Sequence, residues 1–156
     1  VGNRMQKNGG VASGSVLETS QSPEVDVVEV DLTNAYRTPG LVSLIRKVRY
    51  LRPGADSSGK IIVRDDVEFR EPDEFSTALI TLGQITILEN GVVEFEVNDT
   101  KVYAQINTGG VPIAFTENPV TGFTTQESRG IKRLGIYLAE PVQKGFIEVT
   151  ITSERP

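Results

Sequence analysis

The chain has 156 residues, no Cys, no His, and a formal charge of −5 from 16 Lys and Arg against 21 Asp and Glu. Without Cys it forms no disulfide, zinc–thiolate site or thiol nucleophile, and without His it lacks the usual neutral-pH base and the commonest transition-metal ligand. The acidic balance argues against nucleic acid as a partner, and no apolar run is long enough to cross a bilayer as a helix.

A chain of this size buries about two-thirds of its unfolded surface, enough for one core without staples, so residues 1–156 are expected to form a single domain. The first residue is Val1 and the only methionine is Met5, which suggests a processed or excised piece of a larger protein.

From Val1 to Pro23 the chain is rich in Gly, Ser, Asn and Gln, and reads as a loose leader with one short strand at Val11 to Leu17. Glu24 to Leu32 alternates valines with acidic residues, as a strand with one solvated face does. After a turn at Thr38-Pro39-Gly40, the segment Leu41 to Leu51 places Leu41, Leu44, Ile45 and Val48 at helical spacing with Arg46, Lys47 and Arg49 opposite. Periodicity alone favours a helix there, while every neighbouring segment is strand-like.

Lys60 to Phe69 sets Ile61, Val63, Val67 and Phe69 on one face, interrupted by Asp65, with Arg64, Asp66 and Glu68 on the other. Thr77 to Leu88 reads as continued strand. Glu89-Asn90-Gly91 is the clearest hairpin signal, because Asn-Gly tolerates the positive φ that a tight turn needs. Further strands are expected around Val93 to Val97, Val102 to Ile106, Leu134 to Ala139 and Phe146 to Thr152, with a turn at Asn98-Asp99, a break at Gly109-Gly110 and an extended loop at Asn118 to Phe123. Many short strands at this spacing predict an all-β fold, an antiparallel two-sheet β-sandwich.

The chemistry left to such a chain is limited. Asp65, Asp66 and Glu68 form the densest carboxylate group, but neighbours on a strand point to opposite faces, so Asp65 and Asp66 do not converge on one bond. No metal site is expected, since these acids and Asp99 form no loop that would fold several oxygens around a cation. Arg46, Lys47, Arg49 and Arg52 are the only concentration of positive charge. They suit either an acidic polysaccharide or a solvated face paired with carboxylates on neighbouring strands. Tyr36, Tyr50, Tyr103 and Tyr137 fit packing at the core or rim better than catalysis.

The order of motifs carries a resemblance. Val1-Gly2-Asn3-Arg4-Met5-Gln6 with Gly9-Gly10, then Asp31-Leu32-Thr33-Asn34-Ala35-Tyr36, then Arg46 to Leu51, then Ile62 to Val67 together resemble the C-terminal β region of heparinase II/III-like polysaccharide lyases. The likeness is good over the first half of the chain and holds only as a strand pattern over the second. It implies that Leu41 to Leu51 is a strand. It also implies a parent enzyme, periplasmic or secreted, in which a helical toroid precedes the β region and uronic-acid polysaccharide is cleaved by β-elimination. The catalytic Tyr and His residues and any metal ligands would then lie outside this chain, which itself would carry no catalytic residue, no cofactor and no metal. The resemblance points to Asn3, Gln6, Tyr36, Arg46 and Arg49 as residues within reach of substrate. Two other readings are a carbohydrate-binding module, for which a chain without Trp is poorly supplied, and a structural adhesion or assembly sandwich.

Overall fold

Two antiparallel sheets account for nearly all of the regular structure. The computed structural model describes residues 1–2, 13–36, 38–55, 58–120 and 130–156. Its strands are β1 (Ser15–Gln21), β2 (Val25–Asp31), β3 (Leu41–Leu51), β4 (Lys60–Asp73), β5 (Ser76–Thr81), β6 (Gln84–Ile87), β7 (Val92–Val97), β8 (Thr100–Asn107), β9 (Ile113–Pro119), β10 (Lys132–Leu138) and β11 (Val142–Thr152). Eight strands form one sheet in the order β1-β2-β3-β4-β11-β8-β7-β6, and β5-β10-β9 form the other. Among the described residues the only helical turns are the short 3-10 turns Thr33–Ala35 and Glu89–Gly91. None is long and apolar enough to cross a membrane.

The core lies where the small sheet covers the large one. Phe69, Phe75, Leu134, Ile136, Ile147 and Val93 are fully buried, drawn from both sheets and the link between them. Period-two alternation builds the large sheet's half of this core. A cross-strand row runs through Val28, Val48, Val63, Val149 and Ile106 on β2, β3, β4, β11 and β8. The row beside it, through Arg49, Ile62, Thr150 and Gln105, belongs to the outer face. At the β1 end the inner face is open, so Val28, Tyr50 and Ile61 are exposed there and β1 is exposed along its whole length.

Three segments depart from the sequence reading, and a fourth follows it. Among the described residues the first strand is Ser15–Gln21, running past the Leu17 end expected for Val11 to Leu17, because its register is set by pairing with Asp26 to Asp31; Val11 and Ala12 lie outside the described residues. The run Thr77 to Leu88 is two strands in different sheets, β5 and β6. Between them Gly83 approaches the neighbouring backbone so closely that a Cβ would lie 2.5 Å from the Glu96 carbonyl. β9 occupies Ile113–Pro119, where no strand was expected, and takes in the start of the supposed loop at Asn118. Leu41 to Leu51 is a strand, as the resemblance implies and the periodicity alone does not.

Both turn signals hold. Asn90 and Gly91 take φ of 56° and 73°, and Asn98 and Asp99 take 47° and 62°, the left-handed pairs that close tight hairpins.

Candidate functional site

The expected substrate residues divide between the two faces of the large sheet. Arg46 and Arg49 are three residues apart on β3, an odd spacing that points them in opposite directions. Arg46 lies on the inner face, where its guanidinium grips Asp65 of β4 through Nε at 2.6 Å and one terminal nitrogen at 2.7 Å. That same nitrogen reaches the Thr77 hydroxyl of β5 at 3.5 Å, so the pair spans the seam between the sheets. Asp65 is 3% exposed and is the one buried charged residue among those described. The Arg46 guanidinium is held even further above its ordinary range, first by hydrogen bonding to Asp65, against the opposing effect of burial.

Tyr36 belongs to the same neighbourhood. It follows the turn Thr33–Ala35, which is pinned to β3 from both sides of one residue. Leu32 N–H donates to the Leu44 carbonyl at 2.8 Å, and Leu44 N–H donates to the Thr33 hydroxyl at 2.9 Å. Asp31 accepts from Thr33 N–H at 2.8 Å and starts the turn. Tyr36 then packs on the core, close enough to Arg46 to add to its charge stabilisation. The structure therefore brings Tyr36 and Arg46 together and sets Arg49 apart. Asn3 and Gln6 lie outside the described residues.

On the outer face Arg49 meets Glu148 of β11 at 3.4 Å. Arg64 lies between them in the sheet, bonded to Asp66 twice at 2.8 Å and stacked over the Phe146 ring at 3.7 Å. Lys47 binds Glu29 at 2.9 Å, and Arg52 binds Asp26 twice at 2.6 Å. Each member of the basic group thus has a carboxylate partner, on an adjoining strand for Arg46, Lys47 and Arg52 and two strands away for Arg49; Arg46 points inward to a buried carboxylate, and the other three make the pairs of a solvated surface. Asp65 and Asp66 serve opposite faces, as their adjacency requires. Two residues escaped the sequence reading: Asp65 as the buried anchor of Arg46, and Arg64 as the centre of the outer network. The signal for the first was present, because Asp65 interrupts the apolar alternation of β4.

An apolar cleft of about 270 Å³ opens between the sheets, lined by Leu79, Phe95, Val97, Val102 and Ile151. Among the described residues no charged side chain lines it, so their lining does not suit an acidic ligand. Among the described residues no cluster of three or more acidic side chains is arranged to hold a metal ion.

No family model and no curated protein matches the sequence. Solved structures do match the fold. Heparan sulfate lyase HepC from Pedobacter heparinus is similar over 89% of this chain, with a TM-score of 0.69 and 9% identity. A heparinase III is similar over 89% with a TM-score of 0.63 and 11% identity, and a mutant HepC over 92% with a TM-score of 0.63 and 13% identity. This chain spans about a fifth of each of those proteins, 21–22% of their length. At such low identity the likeness is one of fold alone: the chain has the architecture of a single β domain found in heparan sulfate lyases.

Proposed function

We propose that this chain is the non-catalytic C-terminal β-sandwich domain of a heparinase II/III-like lyase, one that cleaves uronic-acid polysaccharide by β-elimination, and that it supports the catalytic region. The observation that carries the reading is the shared fold with heparan sulfate lyases over nearly the whole chain, together with the motif order in the first half. β-Elimination requires neutralisation of the substrate carboxylate, a base for the proton beside it and an acid for the leaving oxygen. In this reading the parent's helical toroid and earlier strands supply those groups and any metal. The pairing of Arg46, Lys47, Arg49 and Arg52 with carboxylates supports a scaffold role here.

Elimination leaves an unsaturated uronate that absorbs in the ultraviolet, so the test is direct. The full-length parent should generate that absorbance from an acidic polysaccharide, and this chain alone should not. Turnover by the isolated chain, abolished by changing one of its own tyrosines, would overturn the non-catalytic role. Substrate contact by Tyr36, Arg46 or Arg49 is tested in the parent by Tyr36→Phe, Arg46→Gln and Arg49→Gln. A raised KM with unchanged Tm would assign the residue to substrate, and unchanged kinetics would assign it to the scaffold.

A further inference from the structure

The outer face of the three-stranded sheet sets an arginine beside a tyrosine over a strand glycine. Along β10, Leu134, Ile136 and Leu138 point into the core, so Arg133, Gly135 and Tyr137 point out. Their neighbours in register are Ile80, Ala78 and Ser76 on β5, and Asn118, Thr116 and Ala114 on β9. Small residues at the centre leave a low floor with polar side chains around it.

Three side chains converge over Gly135. A Cβ built there would lie 2.6 Å from the Thr116 hydroxyl, 2.6 Å from Cε2 of Tyr137 and 2.9 Å from a terminal nitrogen of Arg133. Glycine is therefore required for the phenol ring and the guanidinium to lie down on the sheet. The Tyr137 hydroxyl is drawn below its ordinary range, first by hydrogen bonding with Thr116 and then with Arg133, opposed by burial and, less, by Glu74. Arg133, like Lys60, Arg70 and Arg155, has no carboxylate within 4.0 Å among the described residues, whereas Arg46, Arg49, Arg52 and Arg64 each have one. Its guanidinium hydrogen-bonds the Tyr137 phenol, and both side chains are half-buried on this face. A planar guanidinium is suited to donating two parallel hydrogen bonds to a carboxylate or sulfate, and a flat-lying aromatic ring beside it is suited to a sugar face.

We propose that this face binds one acidic sugar residue, with Arg133 taking its carboxylate or sulfate and Tyr137 supporting its ring. The ligand class rests on the function proposed above; the site itself rests on the geometry around Gly135. The alternative is purely structural, an aromatic side chain covering a strand glycine.

Calorimetric titration of the chain with a heparin-derived hexasaccharide, its desulfated counterpart and neutral maltohexaose decides between them. The two acidic probes distinguish sulfate from carboxylate as the recognised group, and binding of either supports the site. Equal binding of maltohexaose overturns it. Arg133→Gln should weaken the acidic probe about tenfold or more. Lys144→Gln, which loses only an exposed pairing with Glu68 on the large sheet, should leave it unchanged. Should Arg133→Gln fail to fold, Arg133→Lys keeps the charge but loses the fork, and binding at wild-type strength by that variant overturns the proposal. No binding of either acidic probe by the wild-type chain also overturns it. Failure of the lyase reading would instead be seen as absence of elimination products from the full-length parent, an independent measurement.

Discussion

Among the described charged residues, Asp65 is the one whose removal should disturb this domain most. Breaking a fully buried ion pair costs about 3–5 kcal/mol, but the Arg46 side chain is 41% exposed and turns to water when its partner is lost. Asp65→Ala is therefore expected to cost about 2 kcal/mol, a fall in Tm of roughly 4–8 °C for a chain of this length. Arg49→Gln removes only an exposed contact and should change stability by less than about 0.5 kcal/mol. Thermal melts of the two variants side by side check both values, and equal shifts would show that the seam pair is not special. The tyrosines offer a second test. Tyr137 has a folded pKa below its unfolded value of about 10, whereas Tyr103 is raised, first by burial. The phenolate of Tyr137 is thus favoured by the fold, a contribution present above the unfolded pKa and lost as pH falls through the folded one. In an absorbance titration Tyr137→Phe should remove a phenolate phase that precedes that of Tyr103 and leave the Tyr103 phase intact.

The elements show where pattern and packing part company. In β3 the apolar residues look helical only because Arg46 stands at an inner-face position between Leu44 and Val48. Once Asp65 is recognised as its partner in register, Leu44, Arg46 and Val48 restore the alternation of a strand. That partner is 19 residues away, out of reach of any local window. β9 was hidden for a related reason: one face packs Ile113 and Phe115 on the core while Ala114, Thr116 and Asn118 face out, and Pro112 and Pro119 bracket it like a loop. Pro119 is tolerated because β9 is an edge strand. The β7–β8 hairpin carries a further prediction. Asp99 sits at φ 62° in the two-residue turn, where glycine pays no steric penalty, so Asp99→Gly should raise stability by roughly 0.5 kcal/mol in a urea melt. A loss of stability would mean that the Asp99 side chain holds the turn.

Across the whole molecule, both sheets share one core. Leu134 of the small sheet is fully buried and clusters with Val67, Phe69, Ile147 and Val149 of the large sheet. Neither sheet retains a covered face without the other, so unfolding should be a single transition, with circular dichroism and tyrosine fluorescence superimposing. Leu134→Ala should lower stability by about 2–5 kcal/mol and shift both probes together; separate shifts would mean that the sheets unfold independently. The all-β class, most strands and both hairpin turns were legible in the sequence, because alternation and turn chemistry are local properties of the chain. The missing His and Cys likewise fixed which chemistries the chain itself lacks. Tertiary structure alone decided that Thr77 to Leu88 divides between sheets, that Arg46 and Arg49 take Asp65 and Glu148 as their carboxylates, and that Arg133 and Tyr137 meet over Gly135. Each of these depends on which strands become neighbours, and strand neighbours are chosen by burial of the shared core rather than by any segment on its own.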